Sequence, residues 1–330
     1  MPTVSIIIPA YNKQEFIYDT LESCRNQTYS DFEVIIIDDC STDNTISKIK
    51  EFTTRNDTLE IKLFKNEENK GVSYSRNYGI SEAAGKYVLF LDADDILHPD
   101  ALFLLYQTVL LNDADIVFSQ RQYFTGSYHF VDIIRKKEIT VKELSSPPQY
   151  IVGGLIRKEP IDKYELLFEP ELRNGEDTLF TAELFCVSYK CYDVCYPLYM
   201  IRRDDKKSLS RGQWNNPNIE IPREINILRY MEKYYREGRF INSDEKAKAI
   251  TIIRNKKNAV KDLIIRYNAN KIPLETEYRI PIIDILLSNM KIRQKIIELL
   301  YQLPGIESLK FFRLMMLFRR SYIAMESKRG

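Results

Sequence analysis

Three carboxylates follow a run of apolar residues in the segment Tyr87–Asp95 (YVLFLDADD), the strongest chemical signal in the chain. Five consecutive apolar residues are typical of a strand buried on both faces in a parallel sheet. Asp92 and Asp94 stand two positions apart, so both can face one point while Asp95 faces away. Carboxylates at a buried strand end are costly unless a cation neutralises them, and oxygen ligands suit Mg²⁺ or Mn²⁺. An acidic turn ahead of a helix is the alternative, because aspartate favours turns and caps.

Strand-like and helix-like segments alternate around this loop, which predicts an α/β fold with a mostly parallel sheet flanked by helices. In such a sheet ligands bind at the carboxyl ends of the strands. The predicted strands are Val4–Ile8, Phe32–Ile37, Leu59–Phe64, Tyr87–Leu91 and Asp115–Phe118, with strand character again over Cys191–Arg203. Two of the predicted helices are Val72–Ala84 and Glu176–Ser188.

The loop after the first predicted strand suggests a nucleotide site of an unusual kind. It reads Pro9-Ala-Tyr-Asn12 and has neither Gly-x-Gly-x-x-Gly nor a Gly-Lys-Ser/Thr phosphate loop. Tyr11 at a strand end offers a flat face for a base, and Asp38 or Asp39 on the next strand can accept a hydrogen bond from a pyrimidine N–H. Core packing of the tyrosine and helix capping by the aspartates are the alternatives.

Composition narrows the class of protein. The 330 residues are 44% apolar and 29% charged, as in a soluble globular protein. No apolar run approaches the length that spans a bilayer. Five cysteines without disulfide spacing favour a reducing cytosol, and only two histidines exclude a histidine-rich metal centre.

Charge divides the chain into two predicted domains. Residues 221–330 hold 23 basic and 12 acidic residues, whereas residues 1–220 hold 25 basic and 35 acidic ones. The acidic part contains the alternating strands and helices and is the predicted catalytic domain. The basic part has a helical pattern throughout, and its segment Leu309–Phe318 is the most apolar.

Five motifs in order along the chain resemble those of family 2 glycosyltransferases, which are inverting enzymes with a Rossmann-like GT-A domain. The motifs are Ile6–Asn12 (IIPAYN), Ile35–Asp43 (IIIDDCSTD), Gly71–Gly79 (GVSYSRNYG), Leu91–Asp95 (LDADD) and Gly175–Asp177 (GED). The resemblance covers residues 3 to about 212 and leaves out the basic helical region.

The resemblance implies a role for each matching residue. Tyr11 would stack on uracil, with Asp39 at its N3 and Asp38 nearby, and Pro9 and Asn12 would also contact the nucleotide. Arg76 would approach the nucleotide phosphates, Asp92 would contact the ribose and also lie at the metal, and Asp94 would bind the divalent ion. Asp177 would be the general base, with Glu176 as the second candidate. Arg202 and Arg203 would begin a segment, up to Arg211, that closes over the pyrophosphate.

The expected function is therefore metal-dependent transfer of a hexosyl or N-acetylhexosaminyl group from a UDP-sugar to a hydroxyl acceptor. The acceptor would be a glycan, lipid-linked or protein-linked, in bacterial polysaccharide or glycoprotein synthesis. The expected location is cytoplasmic, and the C-terminal helices would form a homo-oligomer, contact the inner face of the membrane, or both; nucleic-acid binding is not expected. A glycoside hydrolase with paired carboxylates and an inactive nucleotide-sugar-binding scaffold are the alternatives.

Overall fold

The computed structural model describes residues 1–56, 59–126, 140–172, 174–203 and 217–269. The strands of this part are β1 (Val4–Ala10), β2 (Phe32–Asp38), β3 (Ile61–Lys65), β4 (Tyr87–Phe90), β5 (Ile96–Leu97), β6 (Ile116–Phe124), β7 (Val141–Glu143), β8 (Leu155–Arg157) and β9 (Cys191–Arg202). The helices are α1 (Ile17–Arg25), α2 (Thr45–Arg55), α3 (Val72–Glu82), α4 (Ala101–Asn112), α5 (Lys158–Lys163), α6 (Glu176–Val187), α7 (Pro217–Arg236) and α8 (Ser243–Ala269).

The described strands form one sheet in the order β3-β2-β1-β4-β8-β6-β9-β5, with β7 paired to β9. The half made of β3, β2, β1 and β4 is parallel throughout. In the other half β8 is antiparallel to β4 and β6, whereas β6 and β9 run parallel. The predicted fold class, a GT-A-type α/β sheet with flanking helices, is confirmed.

The centre of the parallel half is stabilised by apolar residues that point to both faces of β1 and β2. Ile6–Ile8 of β1 and Ile35–Ile37 of β2 are completely buried, as expected for central strands covered by helices. Helix α3 packs on β1 and β2, and Gly79 allows the close approach, since a Cβ atom there would overlap the side chain of Ile7.

The first part of the basic region is helical, as predicted, and the two helices are separated near Gly238. Both α7 and α8 pack on α6, and Ile227, Met231 and Ile252 belong to the main hydrophobic core. The predicted division at residue 220 stays a prediction, and Leu309–Phe318 lies outside the described residues. Within the described part, no helix is both long enough and apolar enough to cross a membrane.

Candidate active site

The carboxyl ends of β1, β2 and β4 lie side by side and carry three of the predicted motifs. In β1, Pro9 stands opposite Ile37 of β2, and the amide of Asp39 donates to the carbonyl of Ala10 at 2.8 Å. Parallel pairing thus brings the loops of neighbouring strands to one edge of the sheet. Tyr11 has 44% of its surface exposed at this edge, so its ring is open to a ligand.

Asn12 joins the loops after β1 and β2. Its backbone is left-handed (φ 52°), a conformation that asparagine tolerates better than most residues. Its side-chain oxygen accepts a hydrogen bond from the amide of Thr42 at 2.8 Å, and its own amide donates to Ser41 Oγ at 3.0 Å. Asn12 directly follows Tyr11, so these two hydrogen bonds also restrain the position of Tyr11.

The two aspartates at the end of β2 are buried and fix the surrounding loops. Asp39 accepts hydrogen bonds from the side-chain amide of Asn66 and from the amides of Lys70 and Gly71, each at 2.8 Å. Asp38 accepts from the amide of Ser41 at 3.0 Å. Because each carboxylate oxygen can accept two hydrogen bonds, Asp39 keeps acceptor capacity for a further donor.

The three carboxylates after β4 point to three different partners. Asp92 accepts from Arg76 at 3.0 Å, Asp94 pairs with Lys13 Nζ at 2.7 Å, and Asp95 accepts from the amide of Arg202 at 2.8 Å. Burial, with the charge of Asp94 beside it, raises the pKa of Asp95 well above its usual value. Asp95 thus faces away from the sheet edge toward β9, as the spacing predicts.

Tyr199 of β9 shapes the same loop. It is fully buried, and its hydroxyl oxygen accepts a hydrogen bond from the amide of Asp92 at 3.1 Å. Gly153 lies against its ring with a φ of +73°, and a Cβ atom there would come within 2.8 Å of the tyrosine. Glycine at this position therefore allows Tyr199 to reach the loop.

A single guanidinium joins the remaining carboxylates. Arg76 of α3 has 3% of its side chain exposed and lies 2.5 Å from Asp177, 3.0 Å from Asp92 and 3.4 Å from Glu176. Its other contact is the ring of Phe168, whose centroid is 5.2 Å away. The structure therefore brings together predicted site residues from three motifs separated by up to 101 positions.

The charges in this cluster oppose one another. Burial and the neighbouring Asp177 charge raise the pKa of Glu176 to about 8, although Arg76 counteracts the shift. Burial also raises the pKa of Asp177, and Arg76 again opposes it. Both acids lie in the first turn of α6, which begins after Gly175 in a left-handed conformation (φ 91°). The arrangement suits proton transfer near neutral pH.

Arg202 contacts the protein with most of its polar side-chain atoms. Nε donates to the carbonyl of Asp94 at 2.9 Å, one terminal nitrogen pairs with Asp19 at 2.8 Å and the other donates to the carbonyl of Gly126 at 3.3 Å. These contacts brace the acidic loop. Arg203 lies 3.9 Å from the ring centroid of Tyr123. Their contacts with a nucleotide stay predictions, and residues 204–211 lie outside the described part.

Two residues that contact the acidic loop, Lys13 and Tyr199, were not predicted from the sequence. Lys13 follows directly after the tyrosine–asparagine motif, so its place in the chain was a usable signal. Tyr199 lies in an apolar strand and carries no signal, because only the tertiary fold brings its hydroxyl to Asp92.

Among the described residues, no group of three or more His, Cys, Asp and Glu side chains is placed to hold a metal ion. Mg²⁺ in enzymes is often held by one or two carboxylates together with substrate phosphates and water. Asp94 and Asp92 are the carboxylates that would hold it in this way, and in this structure they pair instead with the cations Lys13 and Arg76.

Fold and site together define a GT-A-type glycosyltransferase. A family model described as glycosyl transferase family 2 matches residues 5–164. An uncharacterized glycosyltransferase of Haemophilus influenzae is 36% identical over 54% of this chain and 71% of its own length. The chain belongs to glycosyl transferase family 2. Family membership supports the predicted glycosyltransferase over the glycoside hydrolase and the inactive scaffold that the sequence analysis kept as alternatives.

Two further proteins resemble the chain in structure. Poly(ribitol-phosphate) beta-N-acetylglucosaminyltransferase TarS of Staphylococcus aureus is 27% identical over 56% of this chain and 33% of its own length. The crystal structure of TarS 1–349 with UDP-GlcNAc matches with a TM-score of 0.63 and 21% identity, over 87% of this chain and 80% of that one. Mannosyltransferase PcManGT from Pyrobaculum calidifontis, in complex with GDP-Man and Mn²⁺, matches with a TM-score of 0.53 and 17% identity, over 88% and 87%. At these identities the structures show the shared fold.

Proposed function

We propose that this chain transfers a sugar from a UDP-sugar to a hydroxyl group, with inversion at the sugar carbon and with a divalent metal ion. The observation that carries the proposal is the convergence at one sheet edge of an exposed aromatic ring, the acidic loop after β4 and a partly buried acid pair joined by Arg76. Each part corresponds to a step that the reaction needs, namely base recognition, diphosphate departure and proton removal.

The donor half of the site lies at the ends of β1 and β2. Tyr11 stacks on the base, and Asp39 accepts from the N–H that uracil carries and cytosine lacks at N3. Asp92 receives the ribose. A uracil base agrees with the UDP-GlcNAc bound by TarS, and a hexose or N-acetylhexosamine is the transferred sugar.

Asp94 would hold the metal ion, and Asp92, two residues before it, would be the second carboxylate available to the ion. When bound, Mg²⁺ or Mn²⁺ neutralises the negative charge that grows on the departing diphosphate. PcManGT was crystallised with Mn²⁺ on the same fold. Arg202 fixes the acidic loop through the carbonyl of Asp94 and so keeps the carboxylate at the strand end.

Asp177 takes the proton from the acceptor hydroxyl as that oxygen bonds to C1 of the sugar and the bond from C1 to the diphosphate oxygen breaks. Attack from the side opposite the leaving group inverts the configuration. Arg76, 2.5 Å from Asp177, favours its ionised form at neutral pH despite its burial. Glu176 lies in the same turn, but burial raises its pKa to about 8, so it holds its proton at neutral pH and is the weaker candidate for the base.

The acceptor is a hydroxyl of a bacterial surface glycan, carried on a lipid or a protein. TarS acts on a poly(ribitol-phosphate), according to its name. A cytoplasmic location agrees with the use of a nucleotide sugar, and the basic C-terminal part provides self-association, contact with an anionic membrane surface, or both.

The test is release of UDP from a panel of UDP-sugars, with Mn²⁺, by the wild type and by Asp177→Asn. The wild type should consume one UDP-sugar preferentially, and the variant should lose about 10²- to 10⁴-fold in rate because general bases contribute that much. Unchanged binding of UDP by the variant is the control. Equal rates for both proteins would contradict Asp177 as the base.

A further inference from the structure

We propose that Lys13 is a built-in counter-ion that competes with the divalent metal for Asp94. The observation is the ion pair between Lys13 Nζ and Asp94 Oδ2 at 2.7 Å, in which the side chains have 18% and 13% of their surface exposed. This inference rests on the proposed function in one respect, because it takes Asp94 as the metal ligand.

The backbone at Lys13 is held in place from two sides. Its amide donates to Thr45 Oγ1 at 2.8 Å, and that threonine is completely buried and hydrogen-bonded to Asp43. On the other side, Asn12 fixes the preceding turn through Thr42. Lys13 therefore starts from a fixed point, and only its flexible four-carbon stem has to move for the ammonium to leave Asp94.

The ammonium already occupies Oδ2 of Asp94, so a divalent ion that binds this carboxylate competes with the ammonium for its charge. Asp94 lies in a loop with Asp92 and Asp95, so a positive charge near it is favoured when no metal is bound. A metal ion that binds there must displace Lys13 and separate a partly buried ion pair. The diphosphate of the donor offers the displaced ammonium another anion, so the exchange is easiest when metal and nucleotide arrive together.

The inference predicts that removal of the ammonium tightens metal binding. Lys13→Met should lower the dissociation constant of Mn²⁺ about tenfold, equivalent to about 1.4 kcal/mol. The experiment is a titration of the full chain with Mn²⁺ alone, in which electron paramagnetic resonance counts the free ion. Lys13→Arg keeps the positive charge and should bind Mn²⁺ within about twofold of the wild type.

A matched control comes from the opposite end of β4. Lys158 also has 18% of its side chain exposed and also pairs with an aspartate at 2.7 Å, namely Asp162. Its amide donates to the carbonyl of Lys86, just before β4 begins, whereas Asp94 follows the end of that strand. Lys158→Met thus changes net charge equally without touching the acidic loop, and it should leave Mn²⁺ binding unchanged.

The outcomes separate this inference from the proposed function. Tighter binding by Lys13→Met alone supports the competition. Equal or weaker binding by Lys13→Met overturns it, and metal-dependent UDP binding by the same protein would then show that the proposed function still stands. If Asp94→Ala binds Mn²⁺ as well as the wild type does, Asp94 is not the ligand and both fail. Thermal unfolding of each variant verifies that it is folded.

Discussion

Replacing Arg76 with methionine removes the guanidinium that three carboxylates share. Methionine keeps much of the apolar stem and its contact with Phe168 while it eliminates the charge. Breaking a buried ion pair by removing one partner costs about 3–5 kcal/mol. Since Asp92 has 38% and Asp177 25% of the side chain exposed, solvent reduces the penalty, and we expect a loss of about 3 kcal/mol in the free energy of unfolding.

The loss should depend on pH with a definite sign. Glu176 has a pKa of about 8 in the folded chain, and that of Asp177 is raised as well, although Arg76 lowers both. Without Arg76 both rise further above their unfolded values, so the folded state holds protons that the unfolded state has released. Stability then falls as pH rises through this window, and the variant should differ more from wild type at about pH 8 than at about pH 5.

The assay is urea unfolding at both pH values, together with the pH profile of kcat/KM. The acid limb of that profile should move upward by about one pH unit, because the base loses its neighbouring cation. Arg157→Met is the control: Arg157 also lies within ion-pair distance of two aspartates, Asp113 and Asp115, but near the start of β4. An unfolding free energy within about 0.5 kcal/mol of wild type at both pH values, or an unmoved acid limb, would refute the reasoning.

Three further substitutions test separate parts of the site. Glu176→Gln should flatten the loss of stability between about pH 5 and pH 8, because the carboxyl whose pKa is raised to about 8 is gone; an unchanged slope in urea unfolding would contradict this. Gly153→Ala should destabilise by about 2 kcal/mol, since its Cβ atom would lie 2.8 Å from Tyr199. Gly238→Ala is the control, because Gly238 has a similar φ but open space around an added Cβ atom; in urea unfolding it should lower the free energy of unfolding by less than Gly153→Ala does. Tyr11→Ala should weaken UDP binding in calorimetry about 5- to 150-fold through lost stacking, with an unchanged Tm, whereas Tyr189→Ala should bind UDP normally.

The parallel half of the fold could be predicted because its sequence signals are local. Apolar runs dominate β1, β2 and β4, and each run is followed by the turn or acidic residues that mark the sheet edge. The third strand was predicted at Leu59–Phe64 and is found at Ile61–Lys65. Its residues are only partly buried and include two lysines, so the apolar pattern does not mark the ends of the strand sharply. Helix α6 begins at Glu176 as predicted.

The other half of the sheet could not be derived in the same way. Strands β5, β7 and β8 have two or three residues each, too few for a periodic pattern, and their pairing depends on distant partners. Strand character was predicted over Cys191–Arg203, and Cys191–Arg202 form the single strand β9, with register shifts against β6 around Gln120.

The sequence motifs indicate which candidate residues lie near one another, but not which contacts they make; their roles stay predictions. The motifs place Asp92, Asp94 and Asp177 at strand and helix ends. The ion pairs of Arg76 with Asp177 and of Lys13 with Asp94 span 101 and 81 positions, and no local pattern encodes such a separation. Arg76 was expected to face the nucleotide phosphates, and in the structure it pairs with Asp92, Glu176 and Asp177; phosphate contact in the nucleotide complex stays a prediction.

The most direct measurement is a calorimetric titration of UDP into the full chain, with and without Mn²⁺, for wild type and Asp94→Ala. We predict that UDP binds the wild type in a metal-dependent manner and that Asp94→Ala loses the metal-dependent part. Binding that ignores both the metal and the substitution would contradict Asp94 as the metal ligand. If UDP does not bind the wild type even with Mn²⁺, the chain does not use a UDP-sugar.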